Sequence, residues 1–191
     1  VQELISSADT MFGVVHGVTN SGAEWLESIL DSSPDLAVRL ILTTYPACPT
    51  RSETLERLLK LQASQDEETK RCEIRIFTGK SVTDRPSSLL CLLSESGDAP
   101  VFLSNMSGNF GLESDTAFPA NLCFQANAAL MQQFRNWFDF NWWEAHPLNA
   151  KSVNIPRLVP ARGEESAARM WDEYILQCGS PLDPEVAQAE L

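Results

Sequence analysis

Between Thr10 and Phe77 the hydrophobic period of the chain alternates between that of a strand and that of a helix, and this restricts its possible folds more than any other feature. "TMFGVVH", Thr10 to His16, is an apolar run that ends in a turn. "SGAEWLESIL" then starts a helix: Ser21 with Glu24 three residues on fits a capping box, and Trp25, Leu26, Ile29 and Leu30 make an apolar stripe. "AVRLILTTY" is rich in β-branched residues and predicts a buried strand. In "CPTRSETLERLLKLQ" Thr50 and Glu53 offer a second capping box, with Leu55, Leu58, Leu59 and Leu61 on the inward face. "ASQDEETK" is a polar loop, and "CEIRIF" is a strand with Ile74 and Ile76 on one side. Strand, helix, strand, helix, strand is the order of crossover units that feed a largely parallel sheet.

Beyond Phe77 the pattern changes. "SLLCLLS", Ser88 to Ser94, and "APVFLS", Ala99 to Ser104, are separated by "ESGD", which is hairpin material, so this pair is expected to run antiparallel and the sheet to be mixed. "ANLCFQ", Ala120 to Gln125, is a sixth strand. From Ala126 to Trp143 the period is helical, with Leu130, Phe134 and Phe138 on one face and Trp137 beside them. A last helix is predicted over Glu164 to Cys178. The stretch "HPLNAKSVNIPRLVPARG", His146 to Gly163, is expected to be an extended strap pinned by Ile155, Leu158 and Val159. The expected fold is therefore α/β, a mixed, mostly parallel sheet with helices on both faces. One domain is expected over 1–179, followed by a flexible acidic tail over 180–191.

Charge narrows the function classes. A formal net charge of −12 opposes unaided binding to a phosphate backbone over the whole surface. From Arg39 to Arg85, however, nine basic residues face seven acidic ones, a net of +2 that leaves −14 on the rest. A local basic face is thus open to Arg51, Arg57, Lys60, Arg71, Arg75, Lys80 and Arg85. The five cysteines form no CxxC pair and lie in or beside apolar runs, as reduced structural thiols do in a cytoplasmic protein, with no metal site. Neither a membrane span nor a signal peptide is expected, Glu3 and Asp9 standing where a basic leader region would lie. The chain reads as a piece of a larger protein.

Motifs with chemistry are few. "TGKS", Thr78 to Ser81, lacks the upstream glycine of a phosphate loop, and no GxSxG, HExxH or EF-hand pattern is present. Of the two histidines, His16 ends a predicted strand, a favoured position for a binding site. His146 is expected at a helix C-terminus, where it would meet the dipole. "FRNWFDFNWWE", Phe134 to Glu144, has a single basic residue, Arg135. That makes it a poor nucleic-acid or membrane platform and a better core helix, with surplus aromatics left for an interface.

The remaining segment, "VFLSNMSGNFGLE", Val101 to Glu113, resembles the second half of a phospholipase D-like site. Leu103, Ser104, Asn105 and Met106 fall on the family's GSxN positions, Gly108 on its Thr, Gly111 and Leu112 on its "GL", and Asn121 begins the next strand. "WFDFNWWEAHPL", "IPRLVP" and "WDEYI" are also similar to the C-terminal part of the compact phospholipase D-like domains found beside restriction nucleases and helicases of bacterial defence systems. The family's HxK falls on Pro86, Ser87 and Ser88, without its nucleophilic histidine or its phosphate-holding lysine.

The resemblance implies a phospholipase D-like fold whose active site has degenerated. The expected role is non-catalytic: binding, sensing or assembly within a larger protein or complex linked to nucleic-acid processing. Other subunits or a second copy of the chain are the implied partners, and no cofactor is implied. Ser104, Asn105, Asn109 and His16 are the expected ligand-binding residues. The alternatives are a phosphodiesterase or nuclease with a non-standard nucleophile, and a small-molecule or nucleotide sensor using the same residues.

Overall fold

A computed structural model describes residues 8–43, 50–64, 71–77, 89–93, 101–105, 109–110, 121–125 and 127–154. The loop over 65–70, the TGKS and ESGD segments, the strap beyond 154, the helix expected over 164–178 and the tail over 180–191 lie outside the described residues.

The parallel core forms as the alternating pattern requires. Strands β1 (Thr10–Val15), β3 (Ala37–Thr43) and β4 (Cys72–Phe77) lie side by side in parallel register, Val14 opposite Ile41 and Leu40 opposite Ile74. Helix α1 (Asn20–Ser32) makes the first crossover and α2 (Ser52–Ala63) the second. The period of two separates the two faces of the sheet. Met11, Val15, Val38, Leu40, Leu42, Cys72, Ile74 and Ile76 pack with Leu26, Ile29 and Leu30 of α1 and Leu55 and Leu58 of α2. Phe12, Val14, Ile41 and Phe77 face the other way. Leu59 and Leu61, expected inside, are only partly buried at the rim of the first layer.

Strand β5 (Leu89–Leu93) enters on the opposite side of β1 and runs antiparallel to it. Strand β6 (Val101–Asn105) runs antiparallel to β5, as expected from the hairpin-like spacing, and β8 (Asn121–Gln125) runs antiparallel to β6. Among the described residues the main sheet has seven strands in the order β8-β6-β5-β1-β3-β4-β9, where β9 is His146–Pro147. It is mixed. Its parallel pairings are confined to β1–β3 and β3–β4, while β6, twice reversed relative to β1, shares that direction.

Helix α3 (Ala128–Glu144) carries the chain from β8 at one edge to β9 at the other, across the face that α1 and α2 leave free. Its 17 residues span about 25 Å. A seven-stranded sheet is about 29 Å wide at ~4.8 Å per spacing. One helix therefore suffices for the crossing. Its inward stripe is Met131, Phe134, Phe138 and Trp142, not the expected line through Leu130, which is 38% exposed. Asn127 caps the helix by accepting the Leu130 N–H at 2.9 Å, and the packing of Met131, Phe134, Phe138 and Trp142 on Val14 and Ile41 leaves Leu130 facing outward.

Capping also departs from the sequence reading at α1 and α2. Thr19, not Ser21, is the N-cap of α1, its hydroxyl accepting the Gly22 N–H at 3.2 Å. Thr50 does not cap α2. Its hydroxyl accepts the Val18 N–H at 2.9 Å, a long-range bond that ties the start of α2 to strand β2 (Gly17–Val18).

Candidate functional site

Strands β1 and β3 end at the same edge of the sheet, and the N-termini of α1 and α2 lie there too. Thr54 of α2 donates its hydroxyl to Asn20 Oδ1 of α1 at 2.6 Å, while the Val18–Thr50 bond joins the segments just before the two helices. Partial positive charge from two helix dipoles therefore gathers at this edge. His16, half-buried, follows β1 at a bend between β1 and β2.

The expected ligand-binding residues converge only in part. Strand β7 (Asn109–Phe110) pairs in parallel with β2, Asn109 opposite Gly17, so Asn109 lies beside the residue that follows His16. Ser104 and Asn105 end β6, where they pair with Leu122 and Asn121 of β8. Because β5 separates β6 from β1, Ser104 stands two strands from β1, a backbone separation of about 10 Å. The backbone thus draws His16 and Asn109 together at one point of the edge and Ser104, Asn105 and Asn121 at another. Met106, Gly108, Gly111, Leu112 and the HxK-equivalent Pro86, Ser87 and Ser88 lie outside the described residues.

The basic residues proposed for nucleic acid do not share a face. Arg57 bridges α2 to α1, donating from Nε to Glu27 Oε1 at 2.6 Å and from Nη1 to Glu24 Oε1 at 2.8 Å. The hydrogen bonds to Glu27 and then Glu24 hold its pKa above the ordinary value. Arg71 donates from Nη1 to the carbonyls of Leu30, Ser33 and Pro34 and so closes the C-terminal end of α1. Arg75 does the same for α3 on the opposite face, donating to Trp142 O at 2.9 Å with its guanidinium 4.6 Å from the Trp142 ring centroid. Arg51 and Lys60 are exposed on α2, and Lys80 and Arg85 lie outside the described residues. Arg71 and Arg75 thus satisfy helix carbonyls, a use that charge counting does not anticipate.

His146 directly follows Ala145, the C-cap of α3. It lies in β9, buried, opposite Ile76. Burial first, and then the Arg75 charge, lower its pKa. Cys72 is a buried thiol outside any disulfide, and its pKa is pushed up to about 12, mainly by burial, which disfavours the reactive thiolate. Among the described residues no group of His, Cys, Asp and Glu is arranged to hold a metal ion, and no helix is long and apolar enough to cross a membrane.

Two polar groups escaped the sequence reading. The hydroxyls of Thr43, which ends β3, and Ser52, which begins α2, are buried without a hydrogen-bond partner among the described residues. Serine at a helix start is so common that its position alone carries no signal. No protein-family model matches the chain, and no curated protein matches it.

Proposed function

We propose that this chain is a non-catalytic, phospholipase D-like binding domain that works within a larger assembly linked to nucleic-acid processing. The observation that carries this reading is the order and register of β5, β6 and β8. The strand preceded in sequence by Pro86, Ser87 and Ser88 lies directly beside the strand that ends in Ser104 and Asn105. In the family that arrangement would set HxK against GSxN, and here its reactive members are Pro and Ser. What is left at the edge, Ser104, Asn105, Asn109 and Asn121, is amide- and hydroxyl-bearing. Such groups bind a polar ligand through hydrogen bonds and lack the nucleophile and charge that turnover requires.

Helix α3 supports the assembly role. Phe140 and Trp143 are 66% and 63% exposed, and their spacing of three residues makes one apolar patch on the solvent side. The test has two parts. Metal-free hydrolysis of a chromogenic phosphodiester should show no turnover; turnover abolished by Ser104→Ala would overturn the reading in favour of an enzyme. Fluorescence anisotropy with single- and double-stranded DNA and RNA at two salt concentrations examines nucleic acid directly. Salt-dependent binding is expected only from partners or local contacts, and none at low salt would confine the role to assembly or sensing.

A further inference from the structure

We infer that the N-terminus of α2 is a binding site for a small phosphate-type oxyanion. Helix α2 is 12 residues long and its N-cap, Arg51, makes no side-chain capping bond. The first-turn N–H groups of a helix have no intrahelical acceptor, and the N-cap side chain here, a guanidinium, has no acceptor to offer them. Thr50, the residue placed to help, gives its hydroxyl to Val18 of β2.

The independent observation is Ser52. It is the first residue of the helix and only 3% exposed, yet its Oγ has no hydrogen-bond partner among the described residues. A Cα–Cβ bond in a helix tilts toward the N-terminus, so the Ser52 side chain leaves its backbone toward the end that carries the first-turn N–H groups. Leaving such a hydroxyl buried and unsatisfied destabilises the fold. An oxyanion held there accepts from the hydroxyl and the N–H groups together, in the field of the helix dipole. Exposed Arg51 adds a cation at the N-cap, while exposed Glu53 sits in the first turn and opposes a second negative charge. The nearby bond from Thr54 to Asn20 fixes α1 and α2 at this edge, so the site is held by two helices rather than by one loop.

The site is separate from the β6 segment and does not depend on the phospholipase D-like reading. Inorganic phosphate is the probe, titrated by calorimetry and by thermal unfolding against sodium chloride at matched ionic strength. Phosphate is expected to bind and to raise the Tm. Ser52→Ala should weaken binding about tenfold or more, as loss of a hydrogen bond to a charged group implies, while leaving the phosphate-free protein at least as stable as the parent. Glu53→Gln should tighten binding two- to threefold, and Ser104→Ala should leave it unchanged.

The inference is overturned if phosphate stabilises parent and Ser52→Ala equally, or if Glu53→Gln leaves the affinity unchanged. It is also overturned if Ser52→Ala destabilises the phosphate-free protein, which would show that the hydroxyl already has a structural partner. Competition by a 5′-phosphorylated but not a 5′-hydroxyl oligonucleotide would assign the phosphate to a nucleic-acid end. Absence of competition beside intact phosphate binding assigns it to a free small phosphate.

Discussion

Arg75→Met tests how the sheet holds the end of α3. The guanidinium donates to Trp142 O at 2.9 Å and reaches Ala145 O at 3.5 Å, the outer limit of a hydrogen bond. Its centre stands 4.6 Å from the Trp142 ring centroid and 5.6 Å from that of Trp143. A hydrogen bond from a charged donor is worth about 1.5 kcal/mol, and a half-desolvated cation–π contact about 1 kcal/mol. Methionine keeps the aliphatic packing and removes the desolvation cost of the guanidinium, whose pKa burial lowers, so the net loss should be about 2 kcal/mol. For a chain of this size that corresponds to a Tm decrease of roughly 4–8 °C.

The same substitution has an electrostatic readout at His146. Arg75 is the second cause, after burial, of the lowered His146 pKa, so Arg75→Met should raise that pKa part of the way toward its ordinary value. Denaturant unfolding followed by tryptophan fluorescence measures the first effect, and NMR titration of the imidazole measures the second. Stability unchanged within about 0.5 kcal/mol would show that α3 is closed by other contacts. An unmoved imidazole titration would show that the Arg75 charge does not reach His146.

His146 also sets a sign for pH dependence. Its folded pKa lies below its unfolded value, so its contribution to stability is present above about pH 6.5 and is lost as pH falls through that value toward the folded pKa, because the unfolded chain binds the proton first. His146→Gln should flatten this part of a stability–pH profile; an unchanged profile would refute the assignment. Phe138→Ala should cost about 3–5 kcal/mol, since the ring is 1% exposed and lies 5.0 Å from the Phe12 centroid, whereas Phe140→Ala should stay within about 0.5 kcal/mol by denaturant unfolding. Thr50→Val should cost about 1–3 kcal/mol in the same assay by orphaning the Val18 N–H. Cys72 should resist iodoacetamide in the native protein and react once unfolded, as mass spectrometry of the modified peptide would show.

The strands were legible because two-residue alternation is local: Ile74 and Ile76 point inward whatever lies beside them, and the hairpin-like "ESGD" required the antiparallel turn of β6. The phase of α3 was not legible from apolar spacing, since Leu130 and Met131 are both apolar and packing against Val14 and Ile41 of the sheet takes up Met131. The arginines show a different limit. Arg71 and Arg75 count as positive charge in any composition sum, yet each satisfies carbonyls at a helix end that is distant in sequence and comes near only on folding.

The candidate site shows the same limit more sharply. Ser104, Asn105 and Asn109 stood out in sequence because amides and hydroxyls cluster there, and the backbone indeed sets Asn109 beside the His16–Gly17 bend. Ser52 did not stand out, because a helix-start serine normally satisfies its own helix. It becomes informative only when Thr50 gives its hydroxyl to β2 and the α2 N-terminus is left without a side-chain cap. A bond to Val18, 32 residues away in sequence, thus commits the Thr50 hydroxyl to β2. Thr50→Val therefore bears on the oxyanion as well as on stability. It breaks the tie between β2 and α2 without touching Ser52, so phosphate affinity should fall if that tie positions the site and stay constant if Ser52 and the N–H groups suffice.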